Sequence, residues 1–188
     1  RSKFGINSVK MEIEIRDARI EDVPIVAWTV LTALDMSTND MDRFVKSCSD
    51  ENTMYSWKNS IIATVDNVPV GCLIAYDGSR YDELRKKTWS SLWEDTDPSI
   101  IENTGKEAHE GEFYLDSMAI LPEYRKLGIG KSLIEYAFQK GKDSGCLYSS
   151  LLVDINKPRL KAYYETIGFK EFGRMKFFGH EYYRLRKQ

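Results

Sequence analysis

Cysteine and histidine are scarce in this chain. Three cysteines, Cys48, Cys72 and Cys146, and two histidines, His109 and His180, occur among 188 residues. The cysteines are odd in number, widely spaced and without a C-x-x-C pair. Neither a disulfide framework nor a zinc site is indicated, and a reducing cytoplasmic setting is expected. The two histidines lie far apart in sequence, leaving no evident metal cluster, and both read as ordinary surface or loop residues. An excess of either charge is also lacking. The 27 Lys and Arg against 29 Asp and Glu give a net charge of −2, which supplies no bulk pull toward nucleic acid or anionic membrane. No apolar run approaches a membrane span, and the N-terminus lacks the apolar core of a signal peptide. The expectation is a soluble, cytoplasmic protein with no nucleic-acid or membrane partner.

What is present fits one domain with a core of ordinary size. Residues 1–10 do not start with methionine and precede Met11; they read as an expression remnant or disordered lead, and the domain is taken as 11–188. Met11 to Arg16 alternates as a strand. Glu21-Asp22-Val23-Pro24 then signals a helix running to about Asp35, with Ile25, Trp28, Leu31 and Leu34 expected on its buried face. A shorter helix is expected around Asp40 to Cys48. Ser60 to Asp66 and Val68 to Tyr76 read as a hairpin turning at Asp66-Asn67. From about 77 to 111 the pattern breaks into a long polar insertion holding Tyr81, Trp89 and Trp93, helical from Tyr81 to Trp93. Segments of this kind are commonly functional. A surface helix packed on the core and a lid over a binding site are both open readings.

The most informative stretch follows. An apolar, β-prone run (Phe113 to Ile120) leads into L-P-E-Y-R-K-L-G-I-G-K-S-L, Leu121 to Leu133, and then into an amphipathic stretch from Lys131 to Lys142. Strand, glycine turn and helix in that order make an anion site. The first helical N–H groups lack intrahelical partners, carry partial positive charge, and can be approached closely where glycine stands. Arg125 and Lys131 add fixed charge. A P-loop would need glycine where Arg125 stands, and a dinucleotide fingerprint would need a third glycine at Leu133, so both fail.

The remaining pattern, R-x-x-G-x-G after A-I-L-P-E-Y, resembles the pyrophosphate-binding turn of the GNAT superfamily of acetyl-coenzyme A-dependent N-acetyltransferases. A second, separate resemblance lies in Asn156 to Phe169, N-K-P-R-L-K-A-Y-Y-E-T-I-G-F, which is similar to the family's helix ending in aromatic-Tyr-x-x-x-G-F. Between them Leu147 to Asp154 reads as a strand. The closing segments Phe169 to Arg174 and Glu181 to Arg186, linked near Gly179-His180, read as a hairpin. Its aromatic residues, Phe177, Phe178, Tyr182 and Tyr183, make it a candidate homodimer interface. The resemblance implies an α/β (α+β) GNAT fold: a mixed, mostly antiparallel sheet of six to seven strands with helices on both faces.

It also implies acetyl-coenzyme A as co-substrate and an amine of a small molecule or peptide as acceptor. The turn would hold the pyrophosphate through Arg125, Lys126, Leu127, Gly128, Ile129, Gly130, Lys131 and Ser132. A bulge in the preceding strand would open a slot for the pantetheine arm, bonded along Met118, Ala119 and Ile120. Tyr164 would be the general acid toward the departing sulfur. Asn156, one residue earlier than the family's usual asparagine, would contact the cofactor. For the general base the residues leave a choice, with Asp116 ahead of Glu112. Glu112, Tyr114 and Asp116 share a face if the strand is regular, and Tyr114 stands where the family often carries glutamate. Acidic residues in the insertion would suit a cationic amine. The competing reading is a GNAT-fold module that binds acyl-coenzyme A without turnover; it would need the glycine turn but neither Tyr164 nor a strand carboxylate.

Overall fold

Short alternating segments joined by tight turns assemble one sheet. The computed structural model describes residues 10–188; all but the last residue of the expected N-terminal lead lies outside the described residues. Seven strands are described: β1 (Ile13–Asp17), β2 (Ser60–Val65), β3 (Val68–Asp77), β4 (Glu112–Ile120), β5 (Tyr148–Asp154), β6 (Lys170–Phe177) and β7 (His180–Lys187). Their order across the sheet is β1-β2-β3-β4-β5-β7-β6. Only β4 and β5 are parallel; the other neighbours are antiparallel. This is the mixed, mostly antiparallel sheet expected.

The β2–β3 turn places Asp66 and Asn67 at φ +49° and +67°, the left-handed pair that a two-residue hairpin demands and that Asp and Asn tolerate. The last hairpin turns instead on Phe178 and Gly179, at φ +48° and +79°. Both of its strands are longer than expected, and His180 opens β7 rather than lying in the turn. The reason is that β6 is an edge strand with charged, exposed residues, so its alternation is weak in sequence.

Six α-helices are described on the two faces: α1 (Val23–Ala33), α2 (Met41–Ser49), α3 (Tyr81–Leu92), α4 (Pro98–Asn103), α5 (Ile129–Asp143) and α6 (Pro158–Thr166). Pro24, Pro98 and Pro158 stand in the first turn of a helix, where a missing N–H costs nothing. Alternate residues of each strand feed two cores. Ile62, Cys72, Ile74, Tyr76 and Tyr114 pack with α1, α2 and α3. Ile61, Ala63, Leu73, Leu115 and Leu151 pack with Leu133 and Ala137 of α5 and with Phe169 beyond α6. Helix α1 buries Val23, Val26, Ala27, Val30 and Leu31, while Leu34 is 42% exposed. The stripe expected through Ile25, Trp28 and Leu34 is thus out of phase. The helix is apolar nearly all round, so spacing alone fits more than one stripe.

Among the described residues no helix is long and apolar enough to cross a membrane, and no group of three or more His, Cys, Asp and Glu is placed to hold a metal ion. The three cysteines are free thiols, with Cys48 and Cys72 buried.

Helix α5 lies close against β4 because Gly141 has no side chain: a Cβ there would stand 2.7 Å from the Cβ of Phe113. A Gly141→Ala substitution gains about 1 kcal/mol of helix propensity but overpacks a backbone-anchored contact at roughly 1–3 kcal/mol. The expected outcome is a net loss of stability, read as a lower urea midpoint at unchanged m-value.

Candidate active site

Strand β4 parts from its neighbours in a way that builds the site. It pairs with β5 only over Glu112–Tyr114 against Tyr148–Ser150, so from Leu115 onward its edge facing β5 carries no strand. Against β3, Ile74 opposes Ser117 while Ala75 opposes Leu115. Asp116 is therefore the extra residue of a bulge, which bends the strand and reverses its alternation. Before the bulge Tyr114 belongs to the α1 side. After it Met118 and Ile120 join Leu115 on the α5 side. A small cavity of about 50 Å³ occupies the resulting gap, lined by Asp116, Ser117, Met118, Leu151, Leu152 and Tyr164 among others.

One end of the gap leads to the glycine turn. Arg125 Nε donates to the Ile120 carbonyl at 3.0 Å, fixing the turn to the strand it leaves. Lys126 and Gly128 take φ +64° and +80°, two left-handed residues that aim the chain into α5. The helix begins without a side-chain cap, so its first amides remain free to bind an anion. A Cβ on Gly130 would lie 3.4 Å from Ile120 Cδ1, 3.6 Å from Met118 Cε and 3.9 Å from the Tyr163 hydroxyl. The space above Gly130 is thus the cleft between β4 and α6. Arg125, Lys126 and Lys131 are exposed around it.

The other end opens on a cavity of about 640 Å³. Its floor holds two carboxylates. Asp116 accepts from the Tyr76 hydroxyl at 2.6 Å and from Ser117 Oγ at 2.8 Å. Glu107 accepts from Tyr81 at 2.8 Å and Tyr114 at 3.0 Å. Burial pushes both carboxyls above their ordinary range, and the negative charge of Asp116 raises Glu107 further. The walls are largely aromatic: Tyr55, Trp89, Trp93, Phe177, Phe178 and Tyr182 take part. Trp89 of α3 stacks on Phe178 of the last hairpin, with ring centres 5.3 Å apart and planes 13° from parallel.

Tyr164 stands beside the gap on α6, its ring edge-on to Phe169 at 5.7 Å and to Tyr163 at 5.6 Å. Burial, then Tyr163, push its hydroxyl up to about 12, so it is a proton donor at neutral pH.

The site residues read from sequence do not all converge. Asp116, Met118 and Tyr164 meet at the gap, but Glu112 does not reach it. Glu112 is buried where β4 and β5 are still paired, accepting from Arg184 at 3.2 Å and from Ser150 Oγ and the His109 amide at 3.1 Å. That bonding spends its carboxylate on holding strands together. Asn156 is exposed and donates its side-chain amide to Asp154 Oδ1 at 3.0 Å, while its neighbour Lys157 lines the cavity rim. His180, read as an ordinary surface or loop residue, also lines the cavity, as do Phe177, Phe178 and Tyr182 of the hairpin read as a dimer face. Glu107 is the residue that sequence reasoning missed. It lies in the polar segment 77–111, where nothing separates it from solvated acids. In that segment Tyr81, Leu84, Thr88 and Leu92 of α3 are buried, and Trp89 and Trp93 line the cavity.

A mixed sheet with a splayed parallel pair and a glycine turn before α5 is a distinctive fold, and comparison with known proteins places the chain in a family. The model of the Acetyltransferase (GNAT) family matches residues 32–169, and the chain belongs to that family. Among solved structures, an N-acetyltransferase from Staphylococcus aureus Mu50 is 26% identical, with a TM-score of 0.76 over 92% of this chain and 99% of that one. A structure described as an acetyltransferase has 22% identity and a TM-score of 0.77 over 93% and 98% of the two chains. The PaiA N-acetyltransferase from Thermoplasma acidophilum, solved in complex with coenzyme A, has 17% identity and a TM-score of 0.55 over 94% and 99%. No curated protein sequence matches the chain.

The carboxyl pair has a consequence for stability. A carboxyl raised in the folded state binds its proton more tightly there than when unfolded, so folding is favoured at low pH and that advantage is lost as pH rises through the window above the ordinary carboxylate value. Glu107 faces Tyr81, Tyr114, Asp116 and Arg85, and substituting it removes a mutually repelling charge. Glu107→Gln is expected to be more stable than wild type near pH 8, with the difference shrinking toward pH 4 in urea titrations.

Proposed function

We propose that the protein is an acetyl-coenzyme A-dependent N-acetyltransferase that acetylates a primary amine by direct attack in a ternary complex. The single observation that carries the reading is the gap along β4: it is lined by Tyr164, shares Asp116, Ser117, Met118 and Leu152 with the cavity floored by carboxylates, and through Met118 adjoins Gly130 of the uncapped glycine turn. The family membership and the coenzyme A bound in the Thermoplasma relative support the choice of co-substrate.

Acetyl-coenzyme A, when bound, supplies an acetyl group activated as a thioester. The amides from Leu127 to Lys131 are available to the pyrophosphate, with Arg125, Lys126 and Lys131 adding charge; that of Ser132, expected to join them, instead donates to the Gly128 carbonyl at 3.1 Å as the first bond of α5. The unpaired edge at Met118, Ala119 and Ile120 offers backbone groups to an extended arm, much as a missing strand would. An N–H at Met118 or Ala119 is the oxyanion donor in this reading.

The acceptor arrives as an ammonium with a pKa of about 10.4, so only roughly one molecule in 10³ is neutral at pH 7, a deficit of about 4–5 kcal/mol. Asp116 at the bulge takes the proton. Its burial raises its basicity, which brings it closer to the working range of a general base. Glu112 stays outside this step because Arg184 holds it. Tyr164 gives its proton to the departing sulfur. A module that merely binds acyl-coenzyme A would leave both the carboxylate floor and the poised Tyr164 hydroxyl without a role, which favours the enzyme.

Free thiol release from acetyl-coenzyme A, followed across a mixed library of amines, tests the assignment; binding without release from any amine class would replace it with the binding module. In the same assay Tyr164→Phe is expected to lower kcat on the order of 10²-fold. Coenzyme A affinity, followed by calorimetry, should remain. Unchanged kcat with chemistry rate-limiting would remove Tyr164 from the mechanism.

A further inference from the structure

We propose that the acceptor is a small amine with a single ammonium on an apolar, aryl- or alkyl-bearing body, the ammonium seated on Glu107 and Asp116 and the body held by the aromatic walls. This deepens the N-acetyltransferase reading and rests on it.

The argument starts from where charge sits in the cavity. Both deep carboxylates lie at the floor, hydrogen-bonded by tyrosines. Each carboxylate oxygen has more than one lone pair, so a single tyrosine donor leaves room for an ammonium N–H. A monocation relieves the crowding of two buried negative charges, and tyrosine rings beside it add cation–π attraction.

Farther out, among the described residues, a second cation meets one acid and one lysine rather than a pair of carboxylates. Asp154 is the acid at the rim, and its Oδ1 already accepts from the Asn156 amide at 2.8 Å and the Asn156 side chain at 3.0 Å. Lys157 lines the same rim and repels another positive charge. Polyamines and aminoglycosides therefore gain their main charge contact at the floor, and at the rim their other cations meet only Asp154, which stands beside Lys157. The walls between floor and rim are mostly rings and aliphatic chains, with the Tyr55 and Tyr182 hydroxyls and His180 as their few polar groups, so most hydroxyls of an amino sugar would be desolvated against apolar surface.

Shape argues against a peptide. The Trp89–Phe178 stack joins α3, from the inserted segment, to the C-terminal hairpin. An extended chain needs a groove open along its length, and this contact closes one side of it. The volume of about 640 Å³ is in the range of small-molecule sites.

Steady-state thiol release should be measured with 2-phenylethylamine and hexylamine against spermidine, kanamycin and a lysine-containing peptide. Burying a phenyl-sized body adds roughly 1.5–3 kcal/mol, so kcat/KM for 2-phenylethylamine is expected to exceed that for spermidine by about 10- to 100-fold. Preference for spermidine, kanamycin or the peptide overturns the acceptor class while leaving acetyl transfer standing. Thiol release from no amine overturns the transferase reading instead, and the acceptor chemistry is then decided by binding. Saturable quenching of Trp89 and Trp93 fluorescence by 2-phenylethylamine but not by 2-phenylethanol supports the cage; equal quenching by both, or by neither, overturns it. In the active enzyme Glu107→Gln should raise KM for 2-phenylethylamine about tenfold or more, the size of a lost charge-assisted hydrogen bond. An unchanged KM in the folded variant overturns the seating of the ammonium on Glu107.

Discussion

One extra residue in one strand organises the candidate site. With Asp116 bulged out of the β3–β4 ladder, β4 bends away from β5 after three paired residues. A strand that leaves its partner exposes a row of N–H and C=O groups that must find other bonds. In an isolated sheet this would be a liability. Here the exposed row runs from the start of α5 to the floor of a cavity, so the missing hydrogen bonds become an invitation to a ligand that can behave as a strand. The same bulge turns Asp116 toward Tyr76 and lets Met118 and Ile120 close on the helix that follows. Slot, carboxylate and turn are three results of one local irregularity.

The second constraint is the cost of keeping carboxylates out of water. Glu112 and Asp116 lie on the same strand and meet opposite fates. Glu112 is neutralised by Arg184 and bonded by Ser150, which ties the paired ends of β4, β5 and β7 together. Asp116 and Glu107 receive only hydroxyl donors, and their charge is left uncompensated by any nearby cation except Arg85, which bonds mainly to the carbonyls of Thr104 and Gly105. A fully paired carboxylate is a structural group. One that is desolvated, hydrogen-bonded and short of a counter-ion is ready to accept a proton or a cation.

The segment between β3 and β4 completes the cavity from outside the regular fold. Helix α3 is anchored by Tyr81, Leu84 and Leu92 in the core, while Trp89 beside that buried face and Trp93 just past the helix end join the wall. Gly78 permits that anchoring: a Cβ there would meet the His109 backbone at 2.2 Å, so the two ends of the segment can touch only because the side chain is absent. Glu107 is thereby carried under the aromatic wall and onto Tyr81 and Tyr114 of the core.

Local chemistry was enough to read much of this molecule. The two separated motifs implied the sheet topology and an anion turn through their resemblance to a known family, while alternation located the strands, Asp66-Asn67 the first hairpin, and proline and glycine the helix starts. These are properties of neighbours in sequence, set by backbone sterics, hydrogen-bonding capacity and the period of each element. What required the folded chain were decisions between equivalent local choices. Spacing could not say which stripe of the all-apolar α1 is buried, because several stripes fit. It could not separate Asp116 from Glu112, because their difference is the position of Arg184, 72 residues from Glu112, and the parity change at the bulge. It could not mark Glu107 or the hairpin aromatics as cavity residues, because an acid in a polar loop and a phenylalanine on an edge strand acquire their surroundings only from distant segments. Sequence set the elements and the glycine turn through short-range forces, and the tertiary structure decided which carboxylates are paired and which are left to hydroxyl donors, because burial and charge pairing are properties of residues brought together from far apart in the chain.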